Sequence, residues 1–307
     1  MRKGTKLIGL VLCLSVFACM ALGSASSESG DIKDVVTTKD GGTTGGSTEN
    51  KESTSASDKK AVTIEEQVLF EQDGIVVTAQ EYVTDSIWGD GIKLLLENNS
   101  DKTVMVGCNA VIVNNYMLTD LFASEIAAGK KANEVMYLSS SELEAAGIES
   151  VGQIEIYFHV YDPESYDKIF DTDCVTIQTS EYANMDVIPA DTGTELYNAN
   201  GIRIVGKTVD ENSFWGTAIL LYCENNSGKN IGISVEEMSI NGFMMNPLFS
   251  ATLYDGKMSI DDITILSSDL EENGIESIED VELNFHIYDA ETYDTIADAE
   301  KVTFSAK

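Results

Sequence analysis

The sequence predicts an all-β protein with two consecutive β-sandwich domains, each containing one short helix that crosses between sheets. Three observations lead to this prediction. Residues i and i+127 match without a gap from about Asp73 to Phe304, apolar and polar residues alternate in several runs, and turn-forming residues separate those runs. A 127-residue period is far longer than a solenoid repeat, so each copy is expected to fold as a domain.

The N-terminus has the charge order of a secretory signal peptide. Arg2, Lys3 and Lys6 precede an apolar run from Leu7 to Ala18. That run is shorter than the about 20 helical residues that span a bilayer. We therefore assign residues 1–18 to a signal peptide.

The residues around Cys19 indicate a lipid anchor. Val16-Phe17-Ala18-Cys19 resembles a bacterial lipobox, in which the cysteine becomes the lipidated first residue of the mature chain. The resemblance implies attachment to the membrane through Cys19, on the extracellular face of a bacterial cell. Plain secretion is the alternative.

Residues 19–60 are expected to form a disordered tether. This stretch is rich in Ser, Thr and Gly and has no aromatic residue. It cannot bury enough apolar surface to offset the entropy lost on ordering.

The duplicated part divides into a first repeat at 61–181, a linker at 182–194 and a second repeat at 195–307. Several short motifs return after 127 residues: Gly147–Ser150 as Gly274–Ser277, Phe158–Asp162 as Phe285–Asp289, Glu97–Ser100 as Glu224–Ser227, and Tyr166-Asp167 as Tyr293-Asp294.

Alternation within each repeat predicts strands with one buried face. The inward rows are Ile92, Leu94 and Leu96 (matched by Ile219, Leu221 and Cys223); Val104, Val106 and Cys108 (matched by Ile231, Ile233 and Val235); and Ile154, Ile156, Phe158 and Val160 (matched by Val281, Leu283, Phe285 and Ile287). Asn114-Asn115 and Asn241-Gly242 lie between apolar runs and predict tight type I′ hairpins.

One helix is expected in each repeat. Ser141 with Glu144, and Ser268 with Glu271, have the spacing of a capping box, which places the serine at the helix N-cap. Gly147 and Gly274 end the helices, and Leu143 and Leu270 should point inward.

No disulfide is expected. Cys108 and Cys223 fall on inward positions, whereas Cys174 points outward. An inward and an outward cysteine on different strands rarely have the geometry for a bond.

About seven or eight strands in each repeat indicate an immunoglobulin-like sandwich. Over both repeats the chain resembles the telokin-like, immunoglobulin-fold extracellular domains of Gram-positive bacterial surface lipoproteins. The Trp-Gly pairs at Trp88 and Trp215, the Glu-Asn-Asn-Ser turns and the Gly-Ile-Glu-Ser motifs carry the resemblance. It implies a fold and a location, and no activity.

Charge limits the possible partners. The chain has 19 basic and 52 acidic residues, a formal net charge of −33. Residues 61–307 hold 11 of the basic and 45 of the acidic side chains, so the charge belongs to the repeats. Long-range repulsion therefore opposes binding to nucleic acid.

The two histidines give the first candidate binding surface. His159 and His286 lie on the outward face of matching strands, with Tyr157 and Tyr161 beside the first and Tyr288 beside the second. Flat rings with polar tips suit a sugar ring or a peptide. An ordinary sheet face is the alternative.

Trp88 and Trp215 give the second candidate. Each precedes a buried strand. The favoured interpretation is that they close the end of the core, and the alternative is a ligand platform.

Residue patterns for catalysis or metal binding are missing. One histidine per repeat cannot supply a zinc site, and no Gly-x-Ser-x-Gly element accompanies the histidines. The acidic turns at Asp162–Asp167 and Asp289–Asp294 lack the ordered calcium-loop spacing, although a weak calcium site stays open. We expect no cofactor and a non-enzymatic binding or scaffolding role, with an envelope protein or a glycan as partner.

Overall fold

The computed structural model describes residues 32–37, 61–119, 122–213 and 216–306. The predicted signal peptide, Cys19 and Trp215 lie outside these residues. The described chain is mostly β-strand, as the sequence predicts.

The first repeat contains ten strands and one α-helix in its described residues. These are β2 (Gln67–Gln72), β3 (Ile75–Asp85), β4 (Gly89–Asn98), β5 (Val104–Val113), β6 (Tyr116–Leu118), β7 (Ala123–Ile126), β8 (Lys131–Tyr137), α1 (Ser140–Ala145), β9 (Gln153–Tyr161), β10 (Lys168–Asp171) and β11 (Val175–Gln178).

The second repeat has the same order. Its elements are β12 (Thr194–Ala199), β13 (Ile202–Ser213), β14 (Gly216–Asn225), β15 (Ile231–Ile240), β16 (Phe243–Met244), β17 (Ser250–Leu253), β18 (Lys257–Leu266), α2 (Ser267–Glu272), β19 (Asp280–Asp289), β20 (Thr295–Asp298) and β21 (Val302–Ala306). A short 3-10 helix at Tyr182–Asn184 lies between the repeats, and β1 (Ile32–Thr37) precedes both.

Each repeat places its strands in two layers. In the first repeat one layer has the order β2-β3-β4-β8. In the other layer β5 pairs with β6, β7 and β9, and β9 also pairs with β10 and β11. In the second repeat β12-β13-β14-β18 form one layer. In the other layer β15 pairs with β16, β17 and β19, and β19 also pairs with β20 and β21. The helices α1 and α2 connect the two layers, as predicted.

The predicted inward rows fill two hydrophobic cores. Ile92 and Phe158, from opposite layers of the first repeat, belong to one core, and Ile219 and Phe285 occupy the matching places in the other. All four side chains are fully buried. Within the predicted rows only Cys108 and Val235 are partly exposed, and of the two helix leucines predicted to point inward, Leu143 is buried and Leu270 is partly exposed.

The hairpin turns follow the prediction. Asn114 and Asn115 have φ of 46° and 73°, and Asn241 and Gly242 have φ of 50° and 82°. Positive φ at both central residues defines the type I′ turn.

The capping-box prediction is wrong. Helix α1 is preceded by Ser139 and α2 by Leu266, and neither residue caps its helix through a side chain. Ser141 and Ser268 lie inside the helices. The helix ends agree with prediction, since Gly147 has φ of 70° and Ile148 N–H donates to Leu143 C=O at 2.8 Å.

The predicted disorder of residues 19–60 is wrong for Ile32–Thr37. This segment forms β1, which pairs antiparallel with both β13 and β21 of the second repeat. Val35 is 2% exposed and belongs to the second core. The β-branched pair Val35-Val36 favours a strand, but only a distant edge in the second repeat gives it partners.

The two repeats contact each other directly. Strand β6 pairs parallel with β18, and the rings of Tyr116 and Tyr222 lie 6.5 Å apart. Tyr222 is fully buried and packs with the first core although it belongs to the second repeat. Lys257 Nζ bridges the contact to Glu155 at 2.6 Å.

Two further findings concern the described residues. Cys223 is buried and Cys108 is half-buried, whereas Cys174 is exposed, in agreement with the predicted directions of these side chains. No helix in the described segments is long and apolar enough to cross a membrane.

Candidate binding surface

Each repeat carries a row of three stacked rings on the outward face of its histidine strand. We call His159, Tyr161 and Tyr166 the first aromatic ladder. Ring centroids are 5.0 Å apart between His159 and Tyr161 and 6.3 Å apart between Tyr161 and Tyr166, with interplanar angles of 29° and 20°. The histidine and its strand neighbour were predicted to share this face, and they do.

The second aromatic ladder consists of His286, Tyr288 and Tyr293. Its centroid distances are 5.5 Å and 6.0 Å, with angles of 25° and 18°. The two ladders therefore have nearly the same geometry, 127 residues apart in the sequence.

A six-residue turn positions the outermost ring of each ladder. Tyr166 has φ of 62°, and its N–H donates to Asp162 C=O at 2.9 Å. Tyr293 has the same φ and donates to Asp289 C=O at 2.8 Å. A tyrosine at positive φ is uncommon and strained. Both repeats keep this strain and leave these rings 77% and 76% exposed.

The acidic side chains of the turns serve the backbone. Asp162 Oδ1 accepts hydrogen bonds from the N–H groups of Glu164 and Ser165 at 2.9 and 3.1 Å. The N–H groups of Ser165 and Glu164 lower the pKa of Asp162. Such Asx turns explain the aspartate without a metal ion. The described residues contain no group of three or more His, Cys, Asp or Glu arranged to hold a metal.

In the second repeat the corresponding aspartate also has a cation. Lys229 Nζ lies 2.7 Å from Asp289 Oδ2, and the Asp289 carboxylate accepts the N–H groups of Glu291 and Thr292. Lys229 and then these two N–H groups lower the pKa of Asp289 to about 2.

A carboxylate orients the histidine at the inner end of each ladder. His159 Nδ1 lies 2.7 Å from Asp171 Oδ1, and His286 Nδ1 lies 2.6 Å from Asp298 Oδ1. Burial alone would raise the pKa of Asp171. Hydrogen bonds from His159, Lys168 and Asn109 outweigh burial and hold this pKa below its usual range.

A glycine makes room for the central ring of the second ladder. Gly232 on β15 pairs with Tyr288, and a Cβ atom at Gly232 would lie 2.2 Å from the tyrosine Cζ. In the first repeat Met105 pairs with Tyr161. The second ladder is therefore built against bare backbone and the first against a side chain.

Tyr157 was predicted to share the binding face, and the structure gives it a different neighbour. Its ring meets the ring of Tyr254 from the second repeat edge-on, with centroids 5.0 Å apart. Burial, followed by a hydrogen bond with Cys174, raises the pKa of Tyr157 to about 12. Tyr157 therefore contributes to the contact between repeats.

The favoured interpretation of Trp88 as a core residue is wrong. Trp88 is 49% exposed and lies in the turn after β3, where Asp85 Oδ1 accepts hydrogen bonds from the N–H groups of Ile87 and Trp88. Its ring is 6.2 Å from that of Tyr137. A turn held by a carboxylate points the tryptophan away from the core.

Sequence reasoning missed four members of the ladders and their supports. Tyr166 and Tyr293 were recognised as repeated residues but given no role, and the histidine partners Asp171 and Asp298 were not recognised as such. All four match at the 127-residue offset. That offset was the available signal, but only the folded turn brings these residues onto the histidine face.

Comparison with known proteins adds little. No protein-family model and no curated protein matches the chain. The YadV chaperone structure is 12% identical and covers 76% of this chain and 100% of its own, with a TM-score of 0.23.

Two other solved structures give similar values. A structure of the Salmonella enterica SafA pilin with the SafB chaperone is 11% identical over 70% of this chain and 88% of that one, at a TM-score of 0.21. A protein of unknown function from Porphyromonas gingivalis W83 is 11% identical over 71% and 91%, at 0.21. These scores carry no argument about fold or function, so the all-β description rests on the strand pairing itself.

Proposed function

We propose that the chain is a non-enzymatic binding protein of the bacterial envelope, which captures a positively charged segment of a partner protein on its two aromatic ladders. The observation that carries the proposal is the duplicated, solvent-exposed ring stack within an acidic surface. Anchoring through a lipid on Cys19 at the extracellular face of the membrane is part of the same proposal.

Exposure of the outermost rings is the first step of the argument. Tyr166 and Tyr293 leave most of their surface in water, where a large aromatic ring gains nothing from burial. Both adopt strained positive φ to reach that position. A feature that costs stability twice is expected to serve binding.

Charge selects the ligand class. The turn of the first ladder contains Asp162, Glu164 and Asp167, within a chain of net charge −33. Aromatic faces attract cations, and an acidic surface concentrates cationic partners and raises their association rate. Lysine and arginine side chains satisfy both preferences. A neutral glycan can stack on the rings, but it gains neither the cation–π attraction nor the attraction to the acidic surface.

The test measures binding of a lysine- and arginine-rich peptide, an acidic peptide and neutral oligosaccharides to the mature protein by fluorescence anisotropy. We expect binding of the basic peptide only, weakening as salt is added. Tyr166→Ala or Tyr293→Ala should weaken it about 5- to 10-fold, the range of a cation–π contact, and the double variant should weaken it further.

Tyr182→Ala is the matched control, because Tyr182 is 42% exposed and belongs to neither ladder. Equal loss in the control, or unchanged binding in the double variant, would contradict the proposal. Binding of oligosaccharides in place of the basic peptide, lost in the double variant, would reassign the ladders to glycans.

The anchor has its own test. A clickable fatty acid supplied to growing cells should label the wild-type chain and not Cys19→Ser. Label retained in the variant would refute the anchor, and an unlabelled wild-type chain in the medium would favour secretion.

A further inference from the structure

The edge of the second repeat is closed by a strand from far away in the sequence. Residues Ile32–Asp34 pair with Thr208–Asp210 on β13, and Val35–Thr37 pair with Phe304–Ala306 on β21. We call the groove between Gly206–Glu211 of β13 and Phe304–Ala306 of β21 the strand slot. Because β13 and β21 belong to different layers, β1 bridges the two layers.

The strand slot is shaped for its occupant. A Cβ atom at Gly206 would lie 2.5 Å from Val35 Cγ1, so only glycine admits the valine there. The first repeat has Ala79 at the matching position. Thr194 Oγ1 donates to Val35 C=O at 2.5 Å, and Lys33 Nζ pairs with a slot residue, Glu211, at 2.8 Å.

The first repeat closes the equivalent edge with residues adjacent to its own first strand. Ile64 pairs with Thr179, and Ser180 N–H donates to Thr63 C=O at 2.8 Å. The matching residues of the second repeat, Ala190 and Asp191, are held elsewhere.

The contact between repeats holds Ala190, and an ion pair within the second repeat holds Asp191. Ala190 N–H donates to Tyr116 Oη at 2.7 Å, and Asp191 Oδ2 pairs with Arg203 at 2.6 Å. The second repeat therefore cannot fill its slot with the segment that directly precedes β12. The slot depends on a strand from elsewhere in the sequence, which in this structure is β1.

We propose that the strand slot is a strand-binding site that β1 of a second copy of this chain can fill. The same backbone pairs, the valine contact and the ion pair form whether β1 comes from the same copy or another. Residues 38–60 separate β1 from the first repeat, and these 23 residues reach at most about 80 Å when extended. That reach is compatible with exchange between neighbouring copies.

Concentration decides which β1 occupies the slot. By its length alone, a connection of 23 residues corresponds to an effective concentration on the order of millimolar. A dilute copy therefore keeps its own β1, and exchange becomes favourable when the local concentration of copies approaches that value. An ion pair that matches only between copies shifts the balance further.

A charge-swapped pair tests the proposal in full-length mature protein. Lys33→Glu and Glu211→Lys each place like charges within one copy, whereas β1 of either variant matches the slot of the other. The two variants are coexpressed with different affinity tags and purified over both. We expect a 1:1 dimer by light scattering, at a yield about tenfold above that of a control pair in which both tagged copies carry Lys33→Gln and Glu211→Gln together.

The control shows whether exchange needs the attraction between Lys33 and Glu211 or their swapped charges, because glutamine side chains are uncharged and neither attract nor repel each other. Absence of the charge-swapped dimer, or an equal yield from the control pair, overturns the proposal. The hydrogen bond from Ile278 N–H to Glu211 Oε1 is lost in the Glu211→Lys copy whichever β1 fills its slot, so this loss cannot favour exchange.

A peptide measurement checks the slot itself. A synthetic peptide of residues 29–40 should bind the Val35→Asp variant, whose own β1 no longer fits, and should not bind a variant that also carries Gly206→Val. If Val35→Asp does not fold, Glu211→Lys with a peptide carrying Lys33→Glu replaces it. The proposal is overturned if the peptide does not bind Val35→Asp, or binds it no better than the variant that also carries Gly206→Val. In the replacement experiment it is overturned if Glu211→Lys does not bind the Lys33→Glu peptide, or binds the wild-type peptide equally well.

Discussion

The two repeats share a strand order but close their edges with different parts of the chain. The first uses Thr63 and Ile64, which directly precede its strands, whereas the second uses β1, about 160 residues earlier than β12. The two repeats differ in sequence at this edge, since Val35 lies where a Cβ atom of Gly206 would be, and the first repeat has Ala79 at the matching position. A duplicated sequence therefore does not guarantee duplicated connectivity at its edges.

The cores are the part of the comparison that should be symmetric, and they carry the largest expected effect. Phe158→Ala and Phe285→Ala each remove a fully buried ring, at about 3–5 kcal/mol of unfolding free energy. Urea unfolding combined with amide hydrogen exchange should show the loss of protection mainly in the repeat that carries the change. Equal loss in both repeats would mean that the cores unfold as one.

The edge position should be asymmetric. Gly206→Ala forces a methyl group against Val35 and should cost about 1–3 kcal/mol, whereas Ala79→Gly should cost about 1 kcal/mol through chain entropy and lost packing. Val35→Ala in the same chain should relieve most of the Gly206→Ala cost, measured as a double-mutant cycle. An unchanged cost in that background would show that β1 is not the cause.

The ladders should differ in how they are supported. Gly232→Ala places a Cβ atom 2.2 Å from Tyr288 Cζ, which should displace the second ladder. Binding of the basic peptide to that ladder should weaken about 5-fold. Met105→Ala, at the matching position, should leave the first ladder in place. Tyrosine ring shifts in NMR spectra would report the displacement, and equal shifts in both variants would contradict the comparison.

The smallest expected effect concerns the acidic turns. Lys229→Ala should raise the pKa of Asp289 from about 2 towards its ordinary value, because the cation favours the charged carboxylate. Lys102→Ala should change the pKa of Asp162 less, because the charge of Lys102 has the smallest effect on that pKa, after the two N–H groups and burial. NMR titration of the two carboxylates measures both changes.

The sign of the pH effect follows from that lowered pKa. A carboxylate whose folded pKa lies below its unfolded value of about 3.9 stabilises the fold above that pH, and the contribution is lost as the pH falls towards about 2. The wild-type chain should lose this contribution in that window, whereas Lys229→Ala should lose it at higher pH. Identical acid-unfolding curves would show that the ion pair does not contribute.

Local signals account for most of what was predictable. Alternation identified the rows around Ile92, Phe158 and their matches, and the Asn-Asn and Asn-Gly pairs identified their turns. Helix starts were misplaced, because a capping box is a weak signal in a six-residue helix. Trp88 was misplaced because its position beside a buried strand says nothing about which way a turn points it.

The sequence by itself determined the duplication, the strand faces and the hairpins, because these depend on residue spacing over a few positions. Only the tertiary structure decided that β1 fills the second repeat, that Tyr166 and Tyr293 complete the ladders, and that Tyr157 faces Tyr254. Each of these depends on pairing or packing between segments distant in the chain, and periodicity contains no information about such partners. The 127-residue offset identified the residues that occur in both repeats, and only the folded structure shows what each of them contacts.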